Sequence, residues 1–281
     1  MITNIVFDIG GTHMRVGLMR NGTLQDGVLI EHTPKDFDEG IKLLSEMVLL
    51  ASHGKSIDWI AGGIAGPLDK GKTKLVNSPN LPGWVGKPLK GELMRFAKKG
   101  VLLENDTAIA GLGEAVYGKG KGHQVVAYMT ISTGVGGVRI VNKKIDTSAM
   151  GFEPGHQIVD ADGTMGCNED EGLCLARTLD EQASGNGIKR RYHKNPEEIN
   201  DPVFWSNMSR LLATGLNNLI VFWSPHVVVL GGPVLSHMDM NEIRAHLHGM
   251  LKIFPELPDI VQTELGDKNG LFGAVALIEM Q

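Results

Sequence analysis

Three short stretches carry residues whose types and spacing suit phosphate chemistry. Asp8-Ile9-Gly10-Gly11-Thr12 sets a carboxylate ahead of two glycines and a hydroxyl. Glycines let backbone N–H groups approach a bulky anion closely. A carboxylate beside such a turn repels the anion unless a cation lies between them, and magnesium is the usual cation for nucleotide phosphates. An ordinary Gly-Gly hairpin turn with an exposed Asp reads the same. Ser132-Thr133-Gly134-Val135-Gly136-Gly137 repeats the mixture of hydroxyl and glycine. Glu104-Asn105-Asp106-Thr107 closes an apolar run with a carboxylate. That Asp106 is either the N-cap of a following helix or part of a ligand site at the carboxyl end of a strand.

The elements that must position these residues follow from periodicity. Ile2 to Phe7 and Met14 to Met19 read as two strands around the first glycine turn, and Thr23 to Glu31 as a third. From Asp38, Ile41, Leu44, Val48 and Ala51 recur on one helical face. Ile57 to Ile64 returns to strand, Pro88 to Lys98 reads as a short helix, and Val101-Leu102-Leu103 as a buried strand ahead of a small-residue helix. Val125 to Ile131 and Val138 to Val141 flank the second glycine turn. This repetition of strand, turn and strand suggests duplicated halves. Residues 151–185 are polar, glycine-rich and irregular. Residues 201–223 form a long helical pattern, followed by the strand Val227 to Leu230 with Gly231-Gly232, a helix over Glu242 to Ile253, a strand over Ile260 to Thr263 and a closing apolar helix from Leu271. Alternating helices and strands predict an α/β layered fold.

Gly66-Pro67-Leu68-Asp69-Lys70-Gly71-Lys72-Thr73 matches the P-loop pattern letter for letter. A P-loop must open a helix, whose N-terminal amides hold phosphate. Here Thr73 leads into a stretch with Pro79, Pro82, Asn77 and Asn80, which forbids one. Residues 66–78 therefore read as a solvated hairpin, and Lys72 as a residue whose replacement does little.

A chain of 281 residues is long enough for two domains. A net charge of −5 gives no reason to expect nucleic acid or an anionic membrane as a partner. The beginning of the chain carries no basic leader, no apolar run could span a bilayer, and two cysteines make no disulfide framework. A cytoplasmic enzyme fits these features.

Taken in order, Asp8-Ile9-Gly10-Gly11-Thr12, Ser78-Pro79-Asn80-Leu81, Glu104-Asn105-Asp106, Ser132 to Gly137, Glu153-Pro154-Gly155-His156 and Leu230-Gly231-Gly232 resemble the motifs of the ROK family of sugar kinases and sugar-responsive repressors. The resemblance runs nearly end to end. It implies a two-domain, actin-like, ribonuclease-H-type ATPase fold, with ATP and sugar in the cleft between domains. The smaller domain would be residues 1–107 with 268–281, and the larger 108–267. It implies that Asp106 is the general base, that Gly10, Gly11, Thr12, Thr133 and Gly134 hold ATP phosphates, that Asp8 orients hydrated magnesium, and that Gly231 and Gly232 let adenosine lie on the backbone. Asn80, Asn105, Asp106, Glu153 and His156 would meet the sugar, an unphosphorylated hexose such as glucose accepting at its 6-hydroxyl. A homodimer is the family's frequent assembly.

The sequence departs from that pattern at two places. Many members hold a structural zinc with one His and three Cys. Here His156, Cys167 and Cys174 fall at three of the positions, and Glu169 at the fourth. A zinc held with a carboxylate and two free cysteines in a metal-free loop are the alternatives. The family's sugar-binding Glu after Cys-Leu is replaced, since Ala176 follows Cys174-Leu175. Asp180, after Thr178-Leu179, is the expected equivalent carboxylate, shorter by one methylene. Phe152 adds bulk where the family usually has Gly. Both changes bear on which sugar is taken: glucose, or fructose, mannose or an N-acetylhexosamine. A sugar-binding repressor would carry a winged helix-turn-helix ahead of this region, and none is seen before Met1. A non-catalytic scaffold would have no need of Asp106.

Overall fold

The computed structural model describes residues 3–149, 151–161 and 177–281. It divides into two compact units, Met1–Lys121 with Leu265–Gln281, and Gly122–Glu264. The chain has a mixed α/β fold with a larger sheet in each unit.

In the first unit, β1 (Asn4–Ile9) and β2 (His13–Arg20) form an antiparallel hairpin. The expected third strand is two strands, β3 (Thr23–Leu24) and β4 (Leu29–His32), separated around Gly27 at φ 84° and both paired with β2. Helix α1 (Phe37–Ser52) starts one residue before Asp38, because the Asp36 carboxylate accepts the Asp38 and Glu39 N–H groups. Strand β5 (Ile57–Ile64) pairs parallel with β1. The helix expected over 88–98 is only α2 (Leu89–Leu93). Residues 94–96 form a turn, and 97–98 belong to β6 (Ala97–Asn105), which pairs parallel with β5 from Ile57↔Ala97 onward. Tertiary pairing here overrides the local helical pattern.

Alternation along β1 decides where chemistry can occur. Ile5, Phe7 and Ile9 join the core under α1. Val6 joins the opposite core, built with Ile109 of α3 (Asp106–Val116) and with Leu271, Ala274 and Val275 near the chain's end. With a side-chain period of two, Asp8 lies on the same side as Val6, facing α3. The expected domain boundary after residue 107 would cut α3 from this packing; the two compact units divide instead after Lys121.

In the second unit, β7 (Val125–Ile131), β8 (Val135–Val141) and β9 (Lys144–Ile145) run antiparallel. A short turn at Pro154–His156 leads to β10 (Ile158–Asp160), which pairs with β11 (Arg177–Thr178). Helices α4 (Leu179–Ala183), α5 (Gly185–Tyr192) and α6 (Pro202–Trp223) follow. Strands β12 (Val227–Gly231) and β13 (Asp259–Gln262), separated by α7 (Met240–Met250), extend the sheet in parallel beyond β7. The stripe Met208, Leu211, Leu212, Leu216, Leu219 and Ile220 of α6 packs into the same core as Met129, Val228 and Leu230. Helix α8 (Asn269–Glu279) returns the chain to the first unit.

The two sheets share one topology. Their orders are β3-β2-β1-β5-β6 and β9-β8-β7-β12-β13. In each, the unit's first strand is central, with its hairpin on one side and later parallel strands on the other. The duplication expected from the glycine turns is thus present in the strand order. No helix among the described residues is long and apolar enough to cross a membrane.

Candidate functional site

The turn after β1 is tied down through its carbonyls. Gly10 N–H donates to His13 O at 2.9 Å and closes it. The Thr33 hydroxyl donates to Gly10 O, the Thr33 N–H to Thr12 O, and the Lys35 ammonium to Gly11 O at 2.6 Å. A trans peptide points its N–H opposite to its C=O, and no cis peptide is present among the described residues. Anchoring the Gly10 and Gly11 carbonyls therefore turns the Gly11 and Thr12 N–H groups away from Thr33 and Lys35, as an anion cradle requires. Lys35 also donates to Asn80 O at 2.9 Å. A Cβ on Gly11 would come within 2.7 Å of the Asn80 Cβ. The expected sugar residue Asn80 thus stands against the expected phosphate turn.

Asp106 is the first helical residue of α3 and not its N-cap. Asn105 holds the cap, with its side-chain oxygen accepting the Ala108 N–H at 3.0 Å. The Asn105 amide nitrogen donates to Asp106 Oδ1 at 3.1 Å and to Gly66 O at 3.1 Å. Thr107 N–H donates to the same Asp106 oxygen at 2.8 Å. Sheet register places Arg15, Asp8, Gly63 and Glu104 in one row across β2, β1, β5 and β6. Gly63 leaves room above this row. A Cβ there would lie 3.0 Å from the Asp106 Cα, so Asp106 is seated between the Asp8 and Glu104 positions.

The two aspartates are half-buried, and the electrostatics follow. Burial pushes the Asp8 carboxyl up to about 7, assisted by the charges of Asp106 and Asp267 and opposed by Arg15. Burial also raises Asp106, against the hydrogen bonds from Thr107 and Asn105 that favour its ionised form. Arg15 Nη1 is 3.9 Å from Asp8 Oδ2, and its Nη2 donates to Asp267 Oδ2 at 3.3 Å. Two oxygen-donor carboxylates that resist joint ionisation fit a hard divalent cation such as magnesium.

The second unit repeats the tethering. Gly185 N–H donates to Ser132 O at 2.8 Å and Asn186 N–H to Thr133 O at 3.1 Å, so the Thr133 and Gly134 N–H groups face away from α5. Asp180, in the first turn of α4, accepts the Val135 N–H at 2.6 Å. It therefore braces the expected phosphate turn. A cavity of about 240 Å³ borders this turn, lined by Ser132, Thr133, Lys189, Pro233, Val234 and His237 among others. Gly232, at φ 95°, is pressed onto the Ile131 carbonyl, so this glycine answers a close approach of β12 to β7.

Glu153 precedes the Pro154–His156 turn and His156 ends it, and both are exposed. The segment is joined to α4 by the Leu179 N–H, which donates to Gln157 O at 3.0 Å. Phe152 meets Trp223 edge to face, with ring centroids 5.1 Å apart. Cys167 and Cys174 lie outside the described residues. Among the described residues, no group of three His, Cys, Asp or Glu is placed to hold a metal.

Sequence reasoning did not find Thr33 and Lys35, which fix the turn, Arg15, which offsets the Asp8 charge, or Asp267, which shares Arg15 with Asp8. Each is an ordinary polar residue in sequence, and only pairing of β2 with β1 and the return of the chain near α8 bring them in. The 66–78 stretch is a hairpin as expected, with Leu68 bridging Leu75 antiparallel. Its Lys72 is nevertheless engaged, since the ammonium pairs with the buried Glu104.

The ROK family model matches residues 4–281. The chain is 26% identical to a glucokinase of Thermotoga maritima, over 97% of this chain and 96% of that one. It is 25% identical to an N-acetylmannosamine kinase of Haemophilus influenzae, over 96% and 93%. Among solved structures it is similar to a ROK hexokinase from Thermus thermophilus, with a TM-score of 0.80, 26% identity and 99% of each chain covered. A ROK family glucokinase from Streptomyces griseus in complex with glucose and AMPPNP gives a TM-score of 0.78 at 25% identity, over 99% of this chain and 100% of that one.

Proposed function

Because the chain belongs to the ROK family, we propose that it transfers the γ-phosphoryl group of ATP to a hydroxyl of a hexose, with Asp106 as general base. The observation that carries this reading is the Asp106 carboxylate. It is half-buried at the start of α3, seated between Asp8 and Glu104, and oriented by Asn105 and Thr107.

Phosphoryl transfer needs positioning, charge neutralisation and a proton acceptor. Gly10, Gly11 and Thr12, with Thr133 and Gly134, present amides and hydroxyls to phosphate oxygens. Asp8 would hold magnesium through water, which neutralises phosphate charge. Asp106 takes the proton of the acceptor hydroxyl as its oxygen bonds the transferred phosphorus and ADP leaves. Its raised proton affinity suits that task. Asn80, Asn105, Glu153 and His156 are read as sugar contacts, since side chains that donate and accept suit hydroxyls. Asp180 is read as bracing the phosphate turn as well as reaching sugar. The cavity beside Thr133 is read as the place of the nucleotide's adenosine, near Gly231 and Gly232. The repeated strand order supports reading the two units as the halves of an actin-like ATPase.

Relatives named for glucose and for N-acetylmannosamine stand at nearly the same identity. The test is therefore a panel of glucose, mannose, fructose, N-acetylglucosamine and N-acetylmannosamine in a coupled ADP-release assay. Sugar-dependent ADP release by the wild type, lost in Asp106→Asn with ATP binding intact, is expected. Full turnover in Asp106→Asn overturns the mechanism, and no turnover with any sugar overturns the function. Elemental analysis separates the zinc set of His156, Cys167 and Cys174 from plain thiols.

A further inference from the structure

The hairpin that mimics a P-loop holds the two residues ahead of Asp106 from two sides. At its base, Gly66 O accepts the Asn105 amide at 3.1 Å. At its tip, the Lys72 ammonium pairs with Glu104 Oε2, while Glu104 Oε1 accepts the Asn105 backbone N–H at 3.1 Å. Asn105 is in turn the cap of α3 and a donor to Asp106. Two contacts from one hairpin thus converge on the residue that orients Asp106.

The hairpin is shaped to deliver Lys72. The Asp69 carboxylate accepts the Thr73 N–H at 2.6 Å, the Thr73 hydroxyl at 2.7 Å and the Lys74 N–H at 3.2 Å. Lys72 N–H donates to Asp69 O at 2.8 Å, and Lys72 itself takes φ 48°. That left-handed conformation is uncommon for a residue with a Cβ and persists where surrounding contacts enforce it. Lys72 is half exposed, whereas Glu104 is 7% exposed. A buried carboxylate needs a partner. The charged groups around Asp106 are Asp8 from β1, Arg15 from β2, Asp267 from the turn before α8, and Glu104 from β6. Arg15 serves Asp8 and Asp267, so Glu104 depends on Lys72.

The geometry points to Lys72 as a positioning residue for Asp106, acting through Glu104 and Asn105. It rests on the reading of Asp106 as general base, and it reverses the expectation that replacing Lys72 does little. Lys72 touches no reacting atom; it holds the Glu104 carboxylate aimed at the Asn105 N–H, so that the Asn105 side chain stays on Asp106. Small displacements of a catalytic group are expensive, with about 1 Å able to cost 10²-fold in rate.

The test compares wild type, Lys72→Met and Lys72→Arg for kcat, ATP KM, melting temperature and hydrogen exchange at the Asn105 amide. In Lys72→Met, kcat is expected to fall roughly tenfold or more, with ATP KM and melting temperature near wild type and faster Asn105 exchange. Lys72→Arg, which keeps the charge, should recover most of the rate. Wild-type kcat in Lys72→Met overturns the inference. So does a rate loss that tracks a falling melting temperature in both variants, since Lys72 would then only hold the hairpin together. If the wild type turns over no sugar, the kinase reading fails, and Asn105 exchange decides the contact chain alone: unchanged exchange in Lys72→Met overturns it.

Discussion

Asp180 Oδ1 accepts the Val135 N–H at 2.6 Å, and so ties the start of α4 to the turn that follows β7. The sequence placed this carboxylate among the sugar contacts. The structure adds a tie to the proposed phosphate turn, because the residue before Val135 is Gly134. A hydrogen bond to a charged acceptor contributes about 1.5–3 kcal/mol. Asp180→Ala is therefore expected to raise the KM for ATP several-fold and to lower the melting temperature. Titrating both substrates checks this. A change confined to the sugar KM would show that the Val135 bond is incidental.

Asp8 makes the stability of the ligand-free protein pH-dependent. Burial pushes its carboxyl up to about 7 in the folded state, against an ordinary aspartate value of 3.8. Between these two values the folded state binds more protons than the unfolded chain. Stability conferred by the neutral form is present below about 4 and is lost as pH rises towards 7. Asp8→Asn removes the cost of the buried charge, offset in part by the lost partner of Arg15. The variant should be more stable than wild type by about 1–3 kcal/mol at pH 8 and nearly equal to it at pH 4, while losing ATP turnover. Melting temperatures across pH measure it; equal curves at pH 8 would refute the burial argument.

Gly11→Ala places a methyl 2.7 Å from the Asn80 Cβ. Overpacking of this kind costs about 1–3 kcal/mol. Because Asn80 and Gly11 share the Lys35 ammonium, the displaced Asn80 should raise the sugar KM together with the ATP KM. If only the ATP KM rises, Asn80 is free to move aside.

Lys35→Met removes the ammonium that fixes the Gly11 carbonyl and leaves the turn backbone in place. The Gly11–Thr12 peptide is then free to rotate its N–H out of line. ATP binding, followed by calorimetry, is expected to weaken by roughly tenfold, about 1.4 kcal/mol, with little change in melting temperature because Lys35 is largely exposed.

The two glycine turns were legible in the residues alone. Asp8-Ile9-Gly10-Gly11-Thr12 and Ser132-Thr133-Gly134 read as turns because glycine's lack of a side chain is a local property; their anion binding is part of the proposed function. The repeated strand-turn-strand pattern likewise foretold two related sheets. Periodicity located α1, α6 and β12 closely, since each has a strong one-faced or fully apolar pattern. It misread the stretch from Pro88 to Lys98, where pairing of Ala97 with Ile57 outweighs local helical preference.

What tertiary structure alone decided is which charges meet. That Asp8 faces α3 depends on strand alternation, that Arg15 and Glu104 share its row depends on register, and that Asp267 joins them depends on the chain's return near α8. None of these is a local property of sequence. The same holds for Lys72. Read locally, it belongs to a failed P-loop; folded, it neutralises Glu104, 32 residues away. Sequence determined that two glycine turns and the carboxylates Asp8 and Asp106 were present. The sheet register, by setting distances between charges that attract or repel, decided how they are held.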